Sequence, residues 1–131
     1  MVNDEEKARV ILKSRGLIFP VRWHEPFGLA VTESLYFGAP VFATPYGSMP
    51  ELVIPEVGFL SADSDEMANH IRNFGGDYNP KRCNEYAATV FSAEAMARNY
   101  LKLYEQAANG HPLNAAQTPQ QSNPMERLAW R

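Results

Sequence analysis

The chain has 131 residues, 45% of them hydrophobic, and a formal net charge of −3, which allows one small domain with a modest core. The negative charge and the lack of a basic cluster argue against nucleic-acid binding. A single cysteine, Cys83, excludes an intrachain disulfide framework and a thiolate metal cage, and it fits a reducing cytoplasm. Without a signal peptide or an apolar run of about 18 residues, the chain reads as a soluble protein, with peripheral membrane contact left open.

The first half of the chain predicts a helix, a strand, a second helix and a second strand. A helix over residues 3–15 is capped by Asn3 or Asp4, and its Lys and Arg side chains read as a solvated face. The apolar run 17–20 predicts a strand buried on both faces, and a helix over 27–37 ends at Gly38. A second buried strand follows at 40–44.

The second half predicts a short strand and then three helices. A loop over 45–50 leads to a helical turn at 51–53 and a strand at 58–60. Asp63 caps a helix over 66–74, a helix begins at Pro80, and Ser92 caps the last one. In that last helix an apolar stripe predicts either core or a docking surface; it comprises Met96, Tyr100, Leu103 and Tyr104.

Alternation of strands and helices predicts an α/β fold, a partial Rossmann-like domain whose short parallel sheet is flanked by helices. Ligands bind such sheets beyond the carboxyl ends of the strands. The loops 23–28 and 46–48 follow two of these ends, so they should converge on one rim. If strand 17–20 lies at an edge of the sheet, its unpaired backbone groups predict self-association between chains.

Glu25 and Glu33 stand at the two ends of a seven-residue spacer. If Pro26 starts the helix, the amides of Phe27, Gly28 and Leu29 lack intrahelical partners and suit a phosphate or a sugar oxygen. At about 1.5 Å per residue the two acids lie roughly 12 Å apart along a helix. That exceeds the roughly 5–10 Å of a glycosidase carboxylate pair, and it suits two ends of one extended ligand with paired hydroxyls.

The chain resembles the C-terminal half of the family 4 (group 1) glycosyltransferases, which have the two-domain GT-B fold. Five segments carry the resemblance in the family's order: WHEPFGL at 23–29, ESL at 33–35, GAPV at 38–41, GSMPELV at 47–53 and GFL at 58–60. The similarity covers residues 4–105. It implies a partial nucleotide-sugar-binding domain over residues 1–108. Residues 109–131 are rich in Gln, Asn and Pro and poor in apolar residues, which predicts a flexible polar tail.

The resemblance implies retaining transfer of a sugar from a nucleoside diphosphate sugar, with no metal and no other cofactor. By the same resemblance Glu25 is the catalytic residue, contacting donor sugar hydroxyls near the reaction centre, and Glu33 holds the ribose hydroxyls. The backbone of Phe27, Gly28 and Leu29 would face the donor sugar and diphosphate. Gly47 and Ser48 would offer amides to a phosphate, or else form a tight turn.

The chain departs from the family pattern in its cations. The family's C-terminal domain begins with a Gly-Arg element and a Lys that neutralise the leaving diphosphate, and neither has a counterpart here. The N-terminal acceptor domain has no counterpart either. We therefore expect little transfer activity from the isolated chain, which would need that domain or a partner chain. Two alternatives stay open: a non-catalytic binding or interaction module derived from this fold, and another GT-B enzyme such as an epimerase or a phosphorylase.

Overall fold

Three parallel strands form the sheet, with β2 in the middle. The computed structural model describes residues 4–114 and Trp130, and its strands are β1 (Leu17–Phe19), β2 (Val41–Ala43) and β3 (Gly58–Leu60). Phe42 of β2 is in register with Ile18 on one side and Phe59 on the other. The predicted α/β class with a short parallel sheet flanked by helices is confirmed.

Six helices accompany the sheet in the described part of the chain: α1 (Asp4–Lys13), α2 (Leu29–Tyr36), α3 (Met49–Leu52), α4 (Ser64–Asn73), α5 (Pro80–Val90) and α6 (Ala93–Ala108). Two of them, α4 and α6, are capped by the predicted residues. The Asp63 carboxylate accepts hydrogen bonds from the amides of Asp65 and Glu66, and the Ser92 hydroxyl accepts one from the Ala95 amide. Each cap satisfies amides that the first helical turn leaves unpaired.

The apolar side chains divide into two clusters. In the first, α2 and α5 pack together beside the sheet, and the buried residues include Val31, Leu35, Val41 and Cys83. The second joins Phe42 to Met67 on α4 and to Phe74, the residue that follows this helix. Helix α2, which follows the WHEPFGL loop, is held by the first cluster, to which it contributes Val31 and Leu35.

The expectation that β1 is buried on both faces was wrong, because Ile18 in the middle of the strand is 56% exposed. The apolar stripe of α6 was predicted as core or docking surface, and its members Met96, Tyr100, Leu103 and Tyr104 are all exposed, which excludes the first alternative. Periodicity marks an apolar face, but which faces are covered depends on the packing of the elements.

Most of the predicted tail, residues 115–129 and Arg131, lies outside the described residues. The division into a domain over 1–108 and a tail over 109–131 stays a prediction. Helix α6 ends at Ala108. None of the described helices has the length and hydrophobicity needed to cross a bilayer.

We expect Cys83 to resist alkylation in the folded protein. Its side chain is fully buried in the first cluster, and burial raises the pKa of its thiol, so the reactive thiolate is disfavoured in the folded state. With iodoacetamide near the ordinary thiol pKa of about 8.5, labelling should be at least about tenfold slower in buffer than in denaturant. Mass spectrometry of timed samples measures both rates, with glutathione as the reagent control. Equal rates would show that Cys83 is accessible.

Candidate functional site

The loop after β1 and the loop after β2 meet at the carboxyl end of the sheet, as predicted. The Ser48 amide donates to the Glu25 carbonyl oxygen at 2.9 Å. The Ser48 hydroxyl donates to the Phe27 carbonyl oxygen at 2.8 Å. These two hydrogen bonds join the WHEPFGL segment to the start of the GSMPELV segment and hold the backbone around Glu25 and Phe27 in one position.

Gly47 makes this close approach possible. Its φ is +64°, a conformation that favours glycine. A Cβ atom at this position would lie 2.3 Å from the Glu25 carbonyl oxygen and 2.4 Å from the Glu25 nitrogen. The positive φ of Gly47 and its close approach to the Glu25 backbone support the interpretation of Gly47 and Ser48 as a tight turn. Their contact with a donor phosphate stays a prediction.

Helix α2 begins at Leu29 and not at Pro26 or Phe27, so the predicted start was wrong. Gly28 precedes it as N-cap with φ +89°, which interrupts a helical path from Pro26. The Gly28 carbonyl accepts from the amides of Val31 and Thr32. The first-turn amides without an intrahelical acceptor are therefore those of Leu29 and Ala30. The Leu29 amide thus lies in the first helical turn, as predicted, whereas the Phe27 amide belongs to the preceding loop.

A cavity of about 520 Å³ lies between the two joined loops. It brings together four of the predicted site residues: Glu25, Phe27, Gly47 and Ser48. The walls contributed by later parts of the chain were not predicted; these are Glu51, Leu52, Val90 and Phe91. The volume falls in the range of small-molecule sites, and the lining combines carboxylates with apolar walls.

Glu33 does not line this cavity but a neighbouring groove of about 210 Å³, beside Thr32, Tyr36 and Phe91. The Phe91 ring lines both spaces. It is held by edge-to-face contacts with Phe27, at 6.2 Å between ring centroids, and with Tyr86, at 5.4 Å. The two glutamates thus face adjacent spaces that share one aromatic wall.

Each of these glutamates has one carboxylate oxygen bonded to a cationic or polar donor of the protein. The Trp23 ring nitrogen donates to Glu25 Oε2 at 3.0 Å. Lys7 Nζ lies 2.8 Å from Glu33 Oε1, with side chains 39% and 41% exposed. A carboxylate has about four acceptor sites, so each one retains capacity for hydroxyl donors. The second oxygen of both residues is the natural contact for a polyhydroxylated ligand.

The Lys7 contact corrects the expectation that the basic residues of α1 form a solvated face. Lys7 reaches across to α2, and the Arg15 guanidinium, just beyond α1, lies 5.2 Å from the centroid of the Phe74 ring. Arg9 does stay on the exposed surface, 4.0 Å from Glu6 of its own helix. Lys7 and Glu33 are 26 positions apart, and no local pattern in the sequence signals a contact at that distance.

Within the described residues, no group of three or more His, Cys, Asp or Glu side chains could hold a metal ion. The fold presents instead two oriented carboxylates, a pair of joined loops and the start of a helix. This arrangement can accept hydroxyl hydrogen bonds at two places and offers backbone amides between them.

Comparison with known proteins is consistent with this description. The sequence profile of the family described as "Glycosyl transferases group 1" matches residues 1–90. An uncharacterized 41.2 kDa protein in the cps region of Klebsiella pneumoniae is 29% identical over 113 residues, covering 79% of this chain and 30% of that protein. Sucrose synthase 1 of Zea mays is 34% identical over 76 residues, covering 56% of this chain and 10% of the relative.

Proposed function

Because this chain belongs to the group 1 glycosyltransferase family, we propose that it forms the donor-binding part of a retaining transferase that uses a nucleoside diphosphate sugar. In the reaction the bond between the sugar C1 and the diphosphate oxygen breaks, and a bond from C1 to an acceptor hydroxyl oxygen forms on the same face. The acceptor proton passes to the departing diphosphate. The donor is a co-substrate, and the proposal includes no metal or other cofactor.

The observation that carries the proposal is the pair of adjacent spaces at the carboxyl end of the sheet. One contains Glu25 and the other Glu33, and Phe91 lines both. An extended ligand with hydroxyls at each end, such as a sugar linked through a diphosphate to a ribose, matches two separated acceptors better than a compact ligand does.

The roles of the residues follow from their places around these spaces. Glu25, whose carboxylate is oriented by Trp23, contacts the donor sugar and is the proposed catalytic residue. Glu33 accepts from the ribose hydroxyls. Between them the backbone of Phe27, Gly28 and Leu29 faces the diphosphate, where amides at the start of α2 and the positive end of its dipole favour negative charge. Gly47 and Ser48 complete the wall by holding the Glu25 loop in place.

The chain spans 30% or less of the length of the relatives described above. Transfer by the whole protein is therefore part of the proposal. We propose that turnover needs an acceptor-binding domain or partner chain, and in addition the cationic elements that neutralise the leaving diphosphate. We propose that the isolated chain binds donor with little turnover. The exposed edge at β1 would promote self-association, and the expected location is the cytoplasm.

We expect Glu33→Ala to weaken donor binding by about tenfold or more, because hydrogen bonds to a charged acceptor contribute about 1.5–3 kcal/mol. Ligand-observed NMR with UDP-, GDP- and ADP-sugars measures binding and identifies the nucleotide class. Glu85→Ala is the matched control, since it removes a partly exposed carboxylate (55% against 41% for Glu33) from α5, where it faces Lys81.

Either of two outcomes would contradict the proposed function. A folded wild-type chain that binds none of the three donors has no working donor site. Binding that Glu33→Ala and Glu85→Ala reduce equally would show that general charge, and not the ribose contact, is responsible.

A further inference from the structure

Lys7 of α1 lies beside Glu33, at the proposed nucleotide end of the site, although it precedes the WHEPFGL and ESL segments in the sequence. Its ammonium nitrogen lies 2.8 Å from Glu33 Oε1. This distance is that of a charge-assisted hydrogen bond, which is shorter and stronger than a neutral one. The contact links α1 to α2 at the carboxylate that the proposed function assigns to the ribose.

Glu33 has a long, half-exposed side chain on α2, and in isolation it would populate several rotamers. A ligand that needs one rotamer must then order the side chain on binding, which costs conformational entropy and weakens affinity. Lys7 binds one of the two carboxylate oxygens and so restricts Glu33 before the ligand arrives. The other oxygen, Oε2, keeps its acceptor sites for a pair of hydroxyls.

We propose that Lys7 is a positioning residue of the nucleotide site: it orients Glu33 so that the free carboxylate oxygen accepts the ribose hydroxyls of a nucleoside diphosphate. This inference rests on the proposed function. Lys7 acts through Glu33 and has no direct contact with the phosphates. Its role resembles that of Trp23, whose ring nitrogen holds one oxygen of Glu25 in the same way.

A half-exposed ion pair can also be an ordinary surface contact that contributes little to stability. A purely structural pair would change the melting temperature but would not distinguish ligands with ribose hydroxyls from ligands without them. The test therefore combines a ligand change with a double-mutant cycle.

The experiment measures Kd by ligand-observed NMR for the nucleoside diphosphate of the class that binds and for its 2′,3′-dideoxy analogue. We expect Lys7→Met to raise the Kd of the ribose ligand about fivefold, the upper end of what an exposed pair contributes. The Kd of the dideoxy analogue should change less than about twofold. In the Glu33→Gln background, Lys7→Met should have no further effect. Lys7→Arg should restore most of the affinity, because it keeps a cationic donor.

The matched control is Lys13→Met, which removes a positive charge from the last turn of the same helix and should leave both Kd values unchanged. Three results would overturn the role of Lys7: an equal loss for the dideoxy ligand, a loss that persists in the Glu33→Gln background, and no loss at all. The second of these would indicate direct phosphate contact. In each of them the wild-type chain still binds donor, so the proposed function stands; a wild type that binds no donor overturns both.

Discussion

Gly47→Ala should disrupt the candidate site and lower the free energy of unfolding by about 2–4 kcal/mol. Gly47 has φ +64°, and a Cβ atom there would lie 2.3 Å from the Glu25 carbonyl oxygen. That contact is with backbone, which cannot move aside as a flexible side chain can. To relieve it, the loop after β2 must separate from the loop after β1, and the hydrogen bond from the Ser48 amide to Glu25 would be lost.

Urea unfolding of Gly47→Ala measures the stability loss, and ligand-observed NMR with the donor that the wild type binds measures the functional loss, which we expect to be complete. The matched control is Gly75→Ala. Gly75 also has positive φ, at +55°, but a Cβ there would meet only the Asn73 carbonyl oxygen at 3.7 Å, an ordinary contact. It should cost about 1 kcal/mol, the conformational penalty alone, and leave binding intact. Equal losses for the two variants would mean that the loops are not in tight contact.

Phe42→Ala should be the most destabilising substitution considered, at about 3–5 kcal/mol. Phe42 occupies the middle of the central strand and is 2% exposed. Its ring packs against those of Phe74, at 5.1 Å, and Tyr78, at 5.9 Å. Truncation would leave a cavity between β2 and α4, where the surrounding side chains can only partly relax. For a domain of this size such a loss is a large part of the total stability.

Circular dichroism with urea or heat measures this effect. Ile18→Thr is the control, because Ile18 is the register partner of Phe42 on β1 but is largely exposed. Threonine keeps the β-branched shape that suits a strand. We expect a change within about 0.5 kcal/mol, as for most surface substitutions. A similar loss for both variants would show that β1 is covered in solution, which is the result self-association at that edge would produce.

The order of the elements could be read from the sequence because it depends on local physics. Asp63 and Ser92 accept hydrogen bonds from amides two or three positions ahead. Because a cap and its partners are so close in the chain, such caps can be recognised from the sequence. Continuous apolar runs predicted the positions of β1 and β2 for the same reason. The meeting of the loops after β1 and β2 could also be predicted from the sequence, because parallel strands place their carboxyl ends at one edge of a sheet.

The start of α2 shows where local reasoning stops being sufficient. Pro26 has the φ angle of a helix start, so the sequence favoured a helix from that point. The chain instead passes through a left-handed Gly28 and begins the helix at Leu29. The loop's path is set by its hydrogen bonds to Ser48, which belongs to a different segment. A tertiary contact thus overrides a local preference.

The sequence by itself determined the family, the α/β architecture and the loops that carry Glu25, Gly47 and Ser48, because motifs and periodicity are properties of neighbouring residues. Only the tertiary structure decided that Phe91 lines both the space facing Glu25 and the space facing Glu33 and that Lys7 holds one oxygen of Glu33. These contacts join residues many positions apart. They arise from the packing of whole helices against one another, which no local pattern of residues encodes.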